Sequence, residues 1–240
     1  MSIAGNVEAV RERIRAAALA AGRDPAEITL CAATKTQTSD TIREVIAAGV
    51  TVCGENHVQE FTAHDADGAY AGAAAHIIGH LQTNKLKYVV GKCAMIESVD
   101  SLHLLEAINR QALKLGVVQD ILLEVNIGGE ESKTGIPAGE VLPLAEAAAE
   151  MPGIRLRGVM SIPPVSAGPG ANRTFFAETR KVFIDIREKL HHNRRDIDCL
   201  SMGMSLDFED AIAEGATMVR VGTALFGPRP PKGSNKSKEE

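Results

Sequence analysis

The 240-residue chain predicts a single (β/α)8 TIM-type barrel preceded by one extra helix. Short apolar runs alternate with amphipathic stretches, and the runs number eight. Runs such as Ile121-Leu-Leu-Glu-Val-Asn-Ile127 are apolar on both faces, as parallel strands covered by helices must be. An open doubly wound sheet is the competing architecture, and it would use fewer strands.

The first element spans residues 3–21, where Val7, Val10, Ile14 and Ala17/Ala18 recur at three- and four-residue intervals and Gly22 follows as a stop. That spacing predicts a helix with one apolar face. Strands are expected at 28–35, 51–56, 75–80, 94–99, 120–127, 154–162, 199–205 and 218–226. Helical stretches at 39–48, 58–64, 84–90, 101–115, 139–150, 172–191 and 207–213 separate them. Gly49, Gly116, Gly153 and Gly215 close helices, while Pro137 and Pro163-Pro164 open loops. Residues 1–227 are expected to form the barrel as one domain. Residues 228–240, proline-rich and charged with no apolar periodicity, read as a tail that is disordered beyond about residue 231.

Composition narrows the function. A net charge of -5 supplies no basic field for nucleic acid, and 3% aromatics leave few stacking platforms. The N-terminus lacks the basic flank and apolar segment of a signal peptide, and no run of apolar residues is long enough to span a membrane. A cytoplasmic protein is expected. Cys31, Cys53, Cys93 and Cys199 lie far apart without metal-ligand spacing, so they read as small buried hydrophobes in a reducing compartment. No exposed apolar repeat demands a dimer, and a monomer is expected.

In a barrel the working residues sit where strands end. Lys35 closes the first run, where desolvation would disfavour its ammonium and leave free amine to attack a carbonyl such as the aldehyde of pyridoxal phosphate (PLP). A strand-end lysine whose charge simply reaches solvent is the alternative. Other run ends carry Gly54-Glu-Asn56, Gly79-His80, Glu124-Val-Asn126, Ser201-Met-Gly-Met-Ser205 and Arg220-Val-Gly-Thr223. Phosphate sites in such barrels use the loops after strands seven and eight, which here hold Ser205 and Gly222-Thr223. Taken singly, Ser205 is better explained as an N-cap of the 207–213 helix and Gly222 as a packing glycine. Together with Lys35, a phosphate-bearing aldehyde is the simpler account. Arg220 shares the inward face of Gly222, where it could donate to the pyridine nitrogen and keep it unprotonated. The alternative is an arginine paired with Glu124 or Glu55.

Several of these segments resemble one family. Ala33-Thr-Lys-Thr36, Gly54-Glu-Asn-His-Val-Gln-Glu60, His76-Ile-Ile-Gly-His-Leu-Gln-Thr-Asn-Lys85, Ser132-Lys-Thr-Gly135, Arg157-Gly-Val-Met160, Ser201-Met-Gly-Met-Ser205 and Arg220-Val-Gly-Thr-Ala-Leu-Phe-Gly227 are similar, in order and spacing, to motifs of the PLP homeostasis proteins. Those are relatives of the alanine racemase N-terminal barrel. The resemblance implies Lys35 as the aldimine lysine and Asn56 beside the cofactor ring. It implies Ser205, Gly222 and Thr223 on the phosphate, Arg220 at the ring nitrogen, and Ser201 and Met204 lining the site. Lys133 matches a family lysine near the entrance, where a secondary amine could pass PLP on; a solvated loop lysine is the alternative. Gln37 stands where some members carry a second lysine, so a role for that neighbour does not carry over. His76 and His80 read as packing or hydrogen-bonding residues rather than metal ligands, and His191-His192 as a solvated helix end.

These features favour a PLP carrier and buffer over an enzyme, with apo PLP-dependent enzymes as acceptors. A racemase of the related type needs a second acid/base, a tyrosine delivered by another domain, and the chain holds only Tyr70 and Tyr88. A Schiff-base aldolase acting on a sugar phosphate would leave Arg220 without a task.

Overall fold

The computed structural model describes residues 2–130, 134–165, 168–190 and 196–228. The chain begins with α1 (Ile3–Ala20), capped by Ser2, whose hydroxyl accepts from the Gly5 amide at 3.2 Å. Val7, Val10, Ile14 and Ala18 are its buried face. That stripe packs where the barrel's last helices lie, so α1 covers the final units instead of opening a β/α repeat.

The barrel units follow in order: β1 (Thr29–Ala33), α2 (Ser39–Ala47), β2 (Val52–Glu55), α3 (Val58–Ala66), β3 (Ala74–Ile77), β4 (Met95–Val99), α4 (Leu102–Leu115) and β5 (Gln119–Asn126). Then come a two-residue β6 (Ile136–Pro137), α5 (Val141–Ala149), β7 (Ile154–Ser161), α6 (Arg173–Lys189), β8 (Cys199–Ser201), α7 (Phe208–Ala213), β9 (Met218–Val221) and α8 (Thr223–Phe226). All pairings are parallel, and β4 meets β5 to close the ring β4-β3-β2-β1-β9-β8-β7-β5. The barrel therefore has the eight strands expected from the sequence; β6 merely adds to the edge of β5 beyond the ring. Among the described residues no helix is long and apolar enough to cross a membrane.

Side-chain alternation sorts the barrel into layers. Cys31, Val52, Met95, Leu122, Met160, Cys199 and Met218 form an apolar plug inside the ring, with Ala74 against it. Two residues further along their strands, the same inward parity brings His76, Glu97, Glu124, Ser201 and Arg220 to the next layer, nearer the C-terminal mouth. All five are buried. The larger core lies outside the ring, between strands and helices, and holds Phe61, Phe176 and Phe208. All four cysteines are free and buried.

Three expected elements end elsewhere. The 199–205 run is strand only to Ser201, because Gly203 at φ +89° breaks the extended backbone. The 218–226 run splits at Gly222 into β9 and the helical turn α8; an apolar run that short suits either conformation, and tertiary packing decides. The 84–90 helix is a 3-10 run, Thr83–Tyr88, with Leu86 its one buried residue.

Candidate cofactor site at the barrel mouth

β1 ends at Ala33, so Lys35 sits two residues past the strand, in a turn closed by the Gln37 amide donating to the Thr34 carbonyl at 3.0 Å. Thr36 takes φ +65°, the only positive φ outside glycine among the described residues, and its amide donates to Glu60 Oε1 at 3.3 Å. The turn leaves Lys35 half-buried on the rim of a cavity of about 260 Å³. Met204, Ser205, Arg220, Gly222 and Thr223 line that same cavity, together with Gln37, Asp207, Val165, Leu206 and Phe226. Six of the eight cofactor residues expected from the sequence thus meet in one place.

The loop after β8 is held from several sides. The Arg220 amide donates to the Gly203 carbonyl at 3.0 Å. Asp207 accepts from the Met204 amide at 2.7 Å and from Asn172 Nδ2 at 2.8 Å. So fixed, Ser205 Oγ accepts from the amides of Gly222 and Ala224, both at 3.2 Å. As a cap, then, Ser205 serves the first turn of α8, not the 207–213 helix, whose N-cap is Asp207. The two candidate phosphate segments are joined through one hydroxyl, with first-turn amides of α8 converging on it.

A Cβ at Gly222 would meet only Ala33, at 3.5 Å, an ordinary contact. Protein packing does not require glycine there; its missing side chain keeps the cavity wall low. Gly203 is the opposite case, because a Cβ would lie 2.5 Å from Ala211 Cβ.

Arg220 is buried, and its partners differ from both acids considered from sequence. Its Nη1 donates to Ser201 Oγ at 2.6 Å and its Nη2 to the Ser161 carbonyl at 2.9 Å. Ser201 in turn donates to Glu97 Oε2 at 2.6 Å, and Glu97 Oε1 faces His76 Nδ1 at 2.7 Å. Burial alone would raise the Glu97 carboxyl, but His76, Arg220 and Ser201 outweigh it and hold the carboxyl below its ordinary range. Glu124 instead accepts from Thr134 Oγ1 at 2.7 Å, and burial pushes its carboxyl up. Glu55 points outward beneath α3, where its Oε1 accepts from Thr34 at 2.7 Å and Tyr70 at 3.0 Å and faces His64 Nδ1 at 3.0 Å.

Asn56 and Ser201 are not among the cavity-lining residues: Ser201 stands behind Arg220, and Asn56 keeps its Oδ1 buried with no hydrogen-bond partner among the described residues. Lys133 lies outside the described residues, as do His191-His192 and the tail from 229. His76 and His80 each face a carboxylate, Glu97 and Asp100, that their sequence spacing did not reveal. Among the described residues no three or more His, Cys, Asp or Glu side chains gather as a metal site. Tyr70 is buried against Glu55, Tyr88 is exposed, and neither lines the cavity.

Glu97 is the site residue that sequence reasoning missed. Its signal was an acid at an inward position of an otherwise apolar strand, Met95-Ile-Glu-Ser-Val99.

A closed parallel barrel whose mouth brings a lysine, an inward arginine and two serine- and glycine-bearing loops onto one cavity defines a class of lysine-bearing barrel. The chain matches the family model for the alanine racemase N-terminal domain over residues 5–230. It belongs to that family, and within it to the pyridoxal phosphate homeostasis proteins. It is 41% identical to the one from Aquifex aeolicus, covering 95% of this chain and 99% of the relative. An uncharacterised protein from Bifidobacterium adolescentis superposes with TM-score 0.88 at 39% identity, covering 93% of this chain and 94% of the other. PipY of Synechococcus elongatus, solved with PLP bound, superposes with TM-score 0.82 at 31% identity, covering 94% of this chain and all of PipY.

Proposed function

We propose that this chain binds pyridoxal 5'-phosphate at the barrel mouth, joined to Lys35 as a Schiff base, and serves as an intracellular carrier and buffer of the cofactor. The observation that carries the reading is the shared cavity: Lys35, Arg220 and the Ser205, Gly222, Thr223 group all line it. The fit is supported by the low wall at Gly222 and by the α8 amides that converge on Ser205 Oγ. The PLP-bound form of PipY and the shared name of the relatives support it independently. When bound, PLP supplies a reactive aldehyde and an electron-withdrawing ring.

The chain's own residues then divide the work. Lys35 provides the amine. Ser205, whose oxygen accepts from the Gly222 and Ala224 amides, keeps its hydroxyl hydrogen for the phosphate, and Thr223 offers a second hydroxyl. Arg220 can only donate, so toward the ring nitrogen it holds no proton for transfer and favours the unprotonated ring, a poor electron sink. Gln37 adds a neutral amide on the cavity side. Asn56 and Lys133 are proposed as contacts beside the ring and near the entrance, and apo PLP-dependent enzymes as acceptors. With both tyrosines away from the cavity, no phenol is in position to face Lys35 as a second acid/base, which favours holding PLP over racemisation.

The test is covalent trapping. Protein loaded with PLP and reduced with borohydride is expected to carry the label on the Lys35 peptide, and Lys35→Ala is expected to lose both label and visible absorption. Labelling of another lysine, or undiminished labelling of Lys35→Ala, refutes the assignment.

A further inference from the structure

Behind Arg220 lies a chain of side chains that touches no part of the cavity. Glu97 is completely buried in the middle of β4, a location that is costly for a carboxylate unless its oxygens are partnered. Both are: Oε1 faces His76 Nδ1 at 2.7 Å, and Oε2 accepts from Ser201 at 2.6 Å. A serine hydroxyl has one hydrogen. With that hydrogen committed to Glu97, Ser201 turns only lone pairs toward Arg220, whose Nη1 donates to it at 2.6 Å. The Ser161 carbonyl holds Nη2 at 2.9 Å. The guanidinium is thereby fixed from behind, and its remaining donors are left for the cavity that Arg220 lines.

We propose that Glu97, anchored by His76, is the positioning residue for Arg220: it sets the hydrogen of Ser201 and supplies the buried counter-charge, so that the guanidinium keeps its donor aimed at the ring nitrogen of PLP. This inference rests on the PLP reading above and deepens it. Arg155 and Arg157, the bridging partners of Asp120, belong to a separate ion-pair group on β7. The titratable groups facing the network are His76 and the thiols of Cys31 and Cys199 around Glu97, with Glu124 near Arg220.

The experiment follows the visible absorption and fluorescence of PLP-loaded protein across pH for the unaltered chain, Glu97→Gln, Ser201→Ala and Arg220→Gln. The Glu97→Gln and Ser201→Ala proteins are expected to move the midpoint of the Schiff-base band in the same direction as Arg220→Gln, by about one pH unit, the usual size of a neighbouring-charge effect. A merely structural role would lower thermal stability and leave the midpoint alone. Should Glu97→Gln not fold, Ser201→Ala decides, since it removes only the bridge. An unmoved midpoint in the folded variants, with Arg220→Gln shifted, overturns the positioning role. An unmoved midpoint in Arg220→Gln as well, with Lys35 still labelled, overturns it by removing Arg220 from the ring nitrogen. Loss of labelling at Lys35 in the unaltered chain is the separate failure of the PLP reading itself.

Discussion

Gly222 and Gly203 sit in adjacent loops and differ in what a methyl group would cost. Gly222 has φ -119°, open to any residue, and a Cβ would touch only Ala33 at 3.5 Å. Gly222→Ala is therefore expected to fold with unchanged stability while weakening PLP by about tenfold or more, since crowding a packed site costs roughly 1–3 kcal/mol. Pyridoxal, which lacks the phosphate, is expected to lose much less, and equal losses for both ligands in a titration would place the phosphate elsewhere. Gly203→Ala meets strain at φ +89° and a Cβ 2.5 Å from Ala211, so it is expected to lose about 1–3 kcal/mol of stability in denaturant unfolding. Lys35, Ser205 and Arg220 were legible because polar residues interrupt apolar monotony where strands end. Glu97 was not, because its partners His76, Ser201 and Arg220 come from three other strands and only barrel closure brings them together.

At the level of elements, hydrophobic periodicity located all eight barrel strands, and its errors fell where short apolar runs fit two conformations. Leu225 is buried in α8 as thoroughly as a strand residue would be, so the sequence alone could not end β9 at Val221. The β2–α3 unit carries a consequence that periodicity hides. Glu55 ends β2 facing α3, burial raises its carboxyl above the ordinary range, and the hydrogen bonds from Thr34, Tyr70 and His64 offset only part of that. A raised carboxyl means that the folded state binds more protons than the unfolded one between the two pKa values, so stability falls as pH rises through that window. The unaltered chain is thus expected to lose stability relative to Glu55→Gln as pH climbs from the usual glutamate range toward neutrality. Denaturant unfolding of both proteins across that range checks it; a constant difference, or one of opposite slope, refutes the burial argument.

Taken whole, the molecule opens at its mouth into a cavity whose one lining carboxyl among the described residues, Asp207, is engaged by the Met204 amide and Asn172, and which neither tyrosine lines. The barrel is the part that alanine racemases share, and its apolar plug of Cys31, Met95, Leu122, Met160 and Met218 seals the floor beneath the polar layer. Racemisation in such a barrel would need the α-proton to be taken from one face of the bound amino acid and returned on the other. Lys35 can serve one side; Tyr70 is committed to Glu55, and Tyr88 lies on the surface. With Arg220 leaving the ring nitrogen unprotonated and the ring a poor electron sink, amino acids added to the PLP-loaded protein are expected to displace Lys35 while keeping their α-proton for long periods. Deuterium exchange at Cα of alanine in D2O, followed by NMR, measures this directly, alongside reactivation of an apo PLP-dependent enzyme. Efficient reactivation with negligible exchange is the expected pair of results. Rapid exchange with inversion, abolished by Lys35→Ala, would make the protein a racemase, with its second base supplied by a residue other than the two tyrosines.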